Sequence, residues 1–258
     1  MTDQNRYEET HKIEYYETDL TGKATLSMLI NMLVLVSYDQ ADHFGVGTDY
    51  MLDQGYGWVI AQYEMTIKRF PRDHEKVHLI TEATSNNRYF AYRQFFLKDE
   101  QGNELVHIDT ICVVMDLAAR KMVAIPNDAV APYHSEVVKR IPRLTRPTTI
   151  DDSEATTRKD YRVRYFDLDT NHHVNNSHYF DWMMDALGEE FLTAHELCHL
   201  AIRFENEVRY GHVVHSDATN PTQNDDGTVT THHRISGDNE RYAEATLTWR
   251  PLSASTTE

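Results

Sequence analysis

The chain has 258 residues, a formal net charge of −16, and 40% hydrophobic residues. That balance excludes a general nucleic-acid binder, which needs a basic face; two cysteines, Cys112 and Cys198, exclude a disulfide scaffold or a multi-cysteine zinc module. No run approaches the roughly twenty apolar residues of a membrane span. Met1-Thr2-Asp3-Gln4-Asn5 has no signal or transit character, so the expectation is a cytoplasmic protein of two domains of about 110–130 residues each.

In chain order, Tyr15 to Asp19 is a strand-like start and turn, and Met28 to Val36 is an apolar run that reads as a buried helix. Alternate residues Val59, Ala61, Tyr63, Met65 and Ile67 then give a strand. Val77 to Ala83, Tyr89 to Leu97 and Leu105 to Met115 give three more, with a turn at Asp99 to Asn103. A Pro- and Arg-containing stretch, Lys139 to Pro147, runs into an acidic, Thr-rich patch and reads as a connector. The pattern then repeats at an offset of 150 residues. Tyr165 to Asp169 lies over Tyr15 to Asp19, and Tyr179 to Met184 over Leu29 to Val34. Alternation at Leu200, Ile202, Phe204, Asn206, Val208 and Tyr210 follows, then strands at Val213 to Ala218, Thr228 to Ile235 and Tyr242 to Trp249. One apolar helix against consecutive antiparallel strands is an α+β unit. The expected organisation is a first domain over 1–135, a linker over 136–157 and a second domain over 158–258.

The two copies differ in chemistry. The first turn reads Asp19-Leu20-Thr21-Gly22-Lys23, the second Asp169-Thr170-Asn171-His172-His173-Val174-Asn175-Asn176. Alternate residues of an extended segment project to one side, so Asp169, Asn171 and His173 are expected to converge. Asn175 or Asn176 suits an N-cap, and the helix start offers backbone N–H groups for an oxyanion. Laying Glu205 to Arg209 over Glu64 to Lys68 sets Glu207 where the first copy has Thr66. Any one such Asp or Asn is more often a plain turn or cap residue; their coincidence with His173 and Glu207 in one half only points to acid/base chemistry.

The run Asp167-Leu168-Asp169-Thr170-Asn171-His172-His173-Val174-Asn175-Asn176-Ser177-His178-Tyr179-Phe180-Asp181-Trp182 resembles the signature of the acyl-acyl-carrier-protein thioesterases of plant plastids and bacteria, D-L-D-x-N-x-H-V-N-N-x-x-Y-x-x-W. Weaker likeness extends through the first half, at Trp58 and Arg69 to Arg72. The resemblance implies two tandem hotdog domains, each a long central helix wrapped by an antiparallel sheet. It also implies hydrolysis of a fatty acyl thioester of acyl carrier protein to the free acid, ending chain elongation in fatty acid biosynthesis. It assigns catalysis to Asp169, Asn171, His173 and Glu207. A cysteine nucleophile once proposed for the family would sit where this chain has Val208, which makes a papain-like route improbable here. No cofactor or metal is expected, and the partners are acyl carrier protein and its acyl thioester, with a homodimer compatible.

Three further expectations belong here. The first domain supplies the acyl pocket, with Met28, Met32 and Val36 sharing a helix face and Trp58 nearby in function. The carrier protein docks on the basic stretch of Arg140, Arg143, Arg146 and Arg158. Finally, His195-Glu196-Leu197-Cys198-His199 matches the zinc-protease pattern H-E-x-x-H, but alternation from Leu200 stops the helix at His199, so a helix-to-strand junction is expected there. The rival functions are a hotdog acyl-CoA thioesterase and a non-catalytic acyl-binding module.

Overall fold

The computed structural model describes residues 5–169, 173–237 and 240–252. The chain forms two compact units, Met1–Leu144 and Thr145–Glu258. In the first, β1 (Arg6–Lys12), α1 (Leu26–His43), α2 (Thr48–Asp53) and β2 (Tyr56–Ile67) come first. They are followed by β3 (Lys76–Asn86), β4 (Ala91–Asp99), β5 (Glu104–Asp116), β6 (Lys121–Val123), α3 (Asn127–Val130) and β7 (Glu136–Val137). The main strands pair antiparallel in the order β1-β3-β4-β5-β2.

α1 runs 18 residues because nothing in it breaks a helix and both ends are capped. The Thr25 hydroxyl accepts the Met28 N–H at 3.2 Å. At the other end Gly45 takes φ 71°, and the Val46 N–H closes back on the Ala41 carbonyl at 2.9 Å. Leu29, Ile30, Leu33 and Val36 are buried on the face that packs on β1, β3 and β4. Each such side chain contributes about 1.5–3 kcal/mol of transfer free energy.

The second unit contains β8 (Thr157–Arg162), α4 (Ser177–Asp185), α5 (Glu189–Ala194) and β9 (His195–Phe204). β10 (Val213–Ala218), β11 (Thr222–Gln223), β12 (Val229–Gly237) and β13 (Glu240–Pro251) complete it. Its order, β9-β13-β12-β10-β8, repeats that of the first unit strand for strand. The helix over its sheet is divided: α4 ends after 9 residues, Gly188 turns the chain at φ 82°, and α5 continues for 6. The alternation expected to reach Tyr210 stops at Phe204, and 205–212 is a loop.

The stretch expected as a connector is shared between the units. Glu136 and Val137 pair parallel with β3. Further on, the Thr148 N–H donates to Thr246 Oγ1 at 2.9 Å, and the Arg234 guanidinium reaches the Ile150 carbonyl at 3.3 Å and Asp152 at 2.7 Å. Residues 145–156 thus lie on the second sheet.

Candidate active site

The site is built by a short hairpin that precedes α4. A 3-10 turn, Tyr165–Asp167, buries the Asp167 carboxylate, which accepts from the Arg164 backbone N–H at 2.8 Å and from its guanidinium at 2.6 Å. Burial works against that charge, but the Arg164 bonds outweigh it and hold the carboxyl below its usual range. Asp167 is therefore the foundation of the hairpin rather than a reacting group. Above it, Leu168 and Val174 form a bridge, the Asp169 N–H donates to the His173 carbonyl at 2.8 Å, and the Asn175 N–H to the Asp167 carbonyl at 2.9 Å. These bonds close the loop so that Asp169 and His173 share its neck, where the His173 N–H lies 3.4 Å from Asp169 Oδ1.

Glu207 arrives from the loop after β9. The Val174 N–H donates to the Val208 carbonyl at 3.0 Å, which sets Glu207 opposite the imidazole, with His173 Nε2 3.0 Å from Glu207 Oε2. Both side chains are only partly accessible, 21% and 31%. Tyr179 of α4, 2% exposed, meets the Val208 backbone, next to Glu207, with its hydroxyl; burial raises that hydroxyl's pKa and keeps it protonated. Its ring lies edge-on to Phe204 at 5.3 Å. The structure thus brings Asp169, His173, Glu207 and Tyr179 together. Tyr179 is a fixed position of the signature to which sequence reasoning gave no role; its signal is a tyrosine where the other repeat has the fully buried Leu29. Asn171 lies outside the described residues.

The start of α4 does not offer the free donors expected of it. Asn175 Oδ1 accepts the Ser177 N–H at 3.1 Å, and the Asn175 carbonyl accepts that of His178 at 3.0 Å. Among the described residues the first turn of α4 is satisfied by its own loop.

The first unit shows what the same hairpin does without this chemistry. Asp19 N–H again donates to the carbonyl four residues on, Lys23, at 2.9 Å. Here, however, the Asp19 carboxylate is occupied by the Thr21 N–H at 2.7 Å and hydroxyl at 2.6 Å, a turn anchor. The sequence alignment of the strand that follows needs correction. The Ala24 N–H donates to the Pro71 carbonyl as Val174 does to Val208, and the Lys68 N–H meets Leu105 as Glu205 meets Tyr242. The counterpart of Glu207 is therefore the buried Phe70, not Thr66.

Other expected residues fall elsewhere. Met28, Met32 and Val36 line one groove of about 250 Å³ in the first unit, together with Asn31, Leu35 and Leu79. Trp58 is apart from them, packed against Met51, Val114, Ile125 and Ala129. Arg140, Arg143 and Arg146 are exposed. Arg158 is committed to the buried Asp217, with Nε 2.6 Å from Oδ1 and Nη2 3.0 Å from Oδ2. The H-E-x-x-H run lies wholly on β9, not across a junction. At about 3.3 Å per residue its two histidines stand roughly 13 Å apart, too far to share one ion. Glu196 is tied to Arg250 at 3.2 Å.

Comparison with known proteins identifies the family. The profile of the acyl-ACP thioesterase N-terminal domain matches residues 4–133, and that of the C-terminal domain residues 150–251. A chloroplastic oleoyl-acyl carrier protein thioesterase of Coriandrum sativum is 28% identical over 93% of this chain and 68% of its own length. A chloroplastic acyl-[acyl-carrier-protein] hydrolase of Cuphea viscosissima is 23% identical, and the chain spans 63% of its length. Among solved structures, a Lactobacillus plantarum protein described as a candidate oleoyl thioesterase is 46% identical over 96% of both chains, with a TM-score of 0.93. The 12:0-ACP thioesterase of Umbellularia californica, 19% identical over 96% of this chain and 94% of its own, shares the fold at a TM-score of 0.86. Both units are hotdog domains, and the chain belongs to the acyl-ACP thioesterase family.

Proposed function

We propose that this thioesterase hydrolyses the fatty acyl thioester of acyl carrier protein at the Asp169–His173–Glu207 site of its second unit. The observation that carries the reading is the 3.0 Å contact between His173 Nε2 and Glu207 Oε2, in a hairpin whose counterpart holds Lys23 and Phe70 instead. In the reaction a water oxygen attacks the thioester carbonyl while a carboxylate, acting directly or through His173, takes its proton. The tetrahedral intermediate then expels the pantetheine sulfur as a thiolate, which recovers a proton as free thiol. A thiolate leaves readily, so most of the burden falls on activating water and holding the oxyanion. Glu207 and Asp169 activate or deliver the nucleophile, His173 positions the water or polarises the carbonyl, and Asn171 orients its partners.

The first unit holds the acyl chain, and carrier protein docks on the exposed arginines at 140, 143 and 146. A reducing compartment suits the free thiols of Cys112 and Cys198; among the described residues no helix is long and apolar enough to cross a membrane. The test is kinetic. Asp169→Ala, His173→Ala and Glu207→Ala are each expected to lower kcat on acyl carrier protein substrates by about 10²-fold or more, the usual scale for acid/base groups. Asp19→Ala and Lys23→Ala stay within a few-fold. Near-normal turnover by Asp169→Ala or Glu207→Ala sinks the assignment.

A further inference from the structure

The strand orders of the two units match, and their registers identify matching interior positions. Leu79 faces Leu97 where Ser216 faces Ile235, so β4 matches β12. Across the next pairing Ala91 faces Cys112, and Arg93 faces Thr110. The matching pairs in the second unit are Val229 with Trp249 and Thr231 with Leu247. Facing residues share a side of the sheet, so Arg93, Thr110 and Cys112 lie on one side, with the buried Gln40 of α1 bonded to Arg93 there.

In the second unit this place is filled. Trp249 is 1% exposed, donates its indole N–H to Thr231 Oγ1 at 2.9 Å, and meets Phe191 edge-on at 5.3 Å. In the first unit it is a cysteine. Cys112 and Arg93 both keep accessible surface, although the residues around them, Gln40, Tyr63, Thr81 and Thr110, are fully buried. Burial also pushes the Cys112 thiol up to about 11 and depresses the Arg93 guanidinium. Partial exposure of two side chains among fully buried neighbours marks this place as less completely filled than its counterpart beside Trp249, leaving space there. That space has a polar wall. Arg93 Nη1 donates to Gln40 Oε1 at 2.6 Å and Thr81 Oγ1 at 2.7 Å, and the guanidinium lies over the Tyr133 ring at 5.1 Å. No carboxylate pairs with it among the described residues, and the Thr110 hydroxyl opposite has no hydrogen-bond partner among them.

We infer that the acyl chain occupies the space beside Cys112 and that Arg93, with Thr110, forms the polar end wall that limits its length. This rests on the reading that the first unit holds the chain. A methyl terminus driven against the wall offers the Thr110 hydroxyl and the remaining guanidinium N–H groups no hydrogen-bond partner. Polar groups left unsatisfied in a buried place disfavour the chain that reaches them. Chains ending short of Arg93 avoid the cost, so Arg93 determines specificity without touching the thioester.

Two variants test this in the full-length enzyme, each assayed on acyl carrier protein substrates of graded chain length, with the unfolding midpoint as a check of the fold. Arg93→Met replaces the charge by an apolar chain of similar reach. It is expected to raise kcat/KM for the longest substrates relative to shorter ones by about tenfold or more, what one or two methylenes are worth in an apolar pocket. Arg93→Gln, which keeps a partner for Gln40 and Thr81, should move the profile the same way and serves if Arg93→Met does not fold. Cys112→Trp copies the second unit and should shift the profile toward shorter chains, with Cys112→Leu as its milder form. A folded Cys112→Trp with an unchanged profile overturns the placement of the chain beside Cys112 while leaving the first unit's Met28–Met32–Val36 groove as its place. A shift with Cys112→Trp but none with either Arg93 variant leaves that placement standing and overturns the role of Arg93.

Discussion

Cys198 is the residue on which a nucleophilic mechanism would have to rest, since the position after Glu207 is Val208. Its thiol donates to the Thr248 carbonyl at 3.2 Å on the β9–β13 pairing, and burial raises its pKa above the ordinary thiol value. At neutral pH it is a protonated hydrogen-bond donor, whereas a nucleophile must be a thiolate. Cys198→Ala is expected to keep kcat within a few-fold. A loss beyond about tenfold in a variant of unchanged unfolding midpoint, more than a lost neutral hydrogen bond explains, would restore cysteine to the mechanism. Glu207 differs in kind. Its carboxylate is held against His173 in a loop fixed by the Val174–Val208 backbone bond, so it is placed for chemistry before substrate arrives.

At the scale of the element, β12 carries a second consequence of the repeat. Phe95 of β4 corresponds to His233, which is fully buried, bonded through Nε2 to Thr231 Oγ1 at 2.8 Å, and without a partner at Nδ1 among the described residues. Burial drives its pKa down to about 3. The native state therefore keeps it neutral while the unfolded chain takes up a proton near the ordinary histidine value of about 6.5. Its cost is absent above that pH and grows as pH falls toward the folded value, by about 1.4 kcal/mol per unit. His233→Phe, the residue of the other repeat, is expected to flatten the loss of urea stability between pH 6.5 and 4.5, and an unchanged slope would remove His233 as its source. Such strands were readable where one face is apolar: β3, β4, β5, β10, β12 and β13 follow their alternation. β1 and β8 escaped notice because edge strands of sequence Arg-Tyr-Glu-Glu-Thr-His-Lys and Thr-Arg-Lys-Asp-Tyr-Arg bury little. The Glu207 alignment failed for a related reason. A five-residue likeness between Glu205–Arg209 and Glu64–Lys68 outweighed register, which only strand pairing reveals. The approach of Asp169 and His173, by contrast, is local in sequence and was readable there.

For the whole molecule the open question is how an enzyme of net charge −16 receives an acidic carrier protein. Net charge opposes the encounter, so attraction must be local, and exposed charges act over a Debye length of about 8–10 Å. The structure narrows the candidates. Arg158 is paired with Asp217, which it shares with Arg234, Lys159 with Asp185 at 2.9 Å, and Arg164 with Asp167 at 2.6 Å. Each has a carboxylate partner within the second unit. Arg140, Arg143 and Arg146 are exposed in a stretch that carries no regular secondary structure. Charges of this kind change the association rate and its salt dependence more than the chemistry. Arg143→Glu combined with Arg146→Glu is therefore expected to raise KM for acyl carrier protein substrates several-fold at low salt, with kcat little changed, and to weaken the dependence of kcat/KM on ionic strength. Hydrolysis of a short pantetheine thioester, which bears no acidic protein, should stay as it was. Arg158→Glu, in contrast, leaves Asp217 facing a carboxylate and should lower the unfolding midpoint while leaving the salt dependence alone. If the paired arginine variant slows both substrates equally, the stretch supports the fold and the carrier protein docks elsewhere.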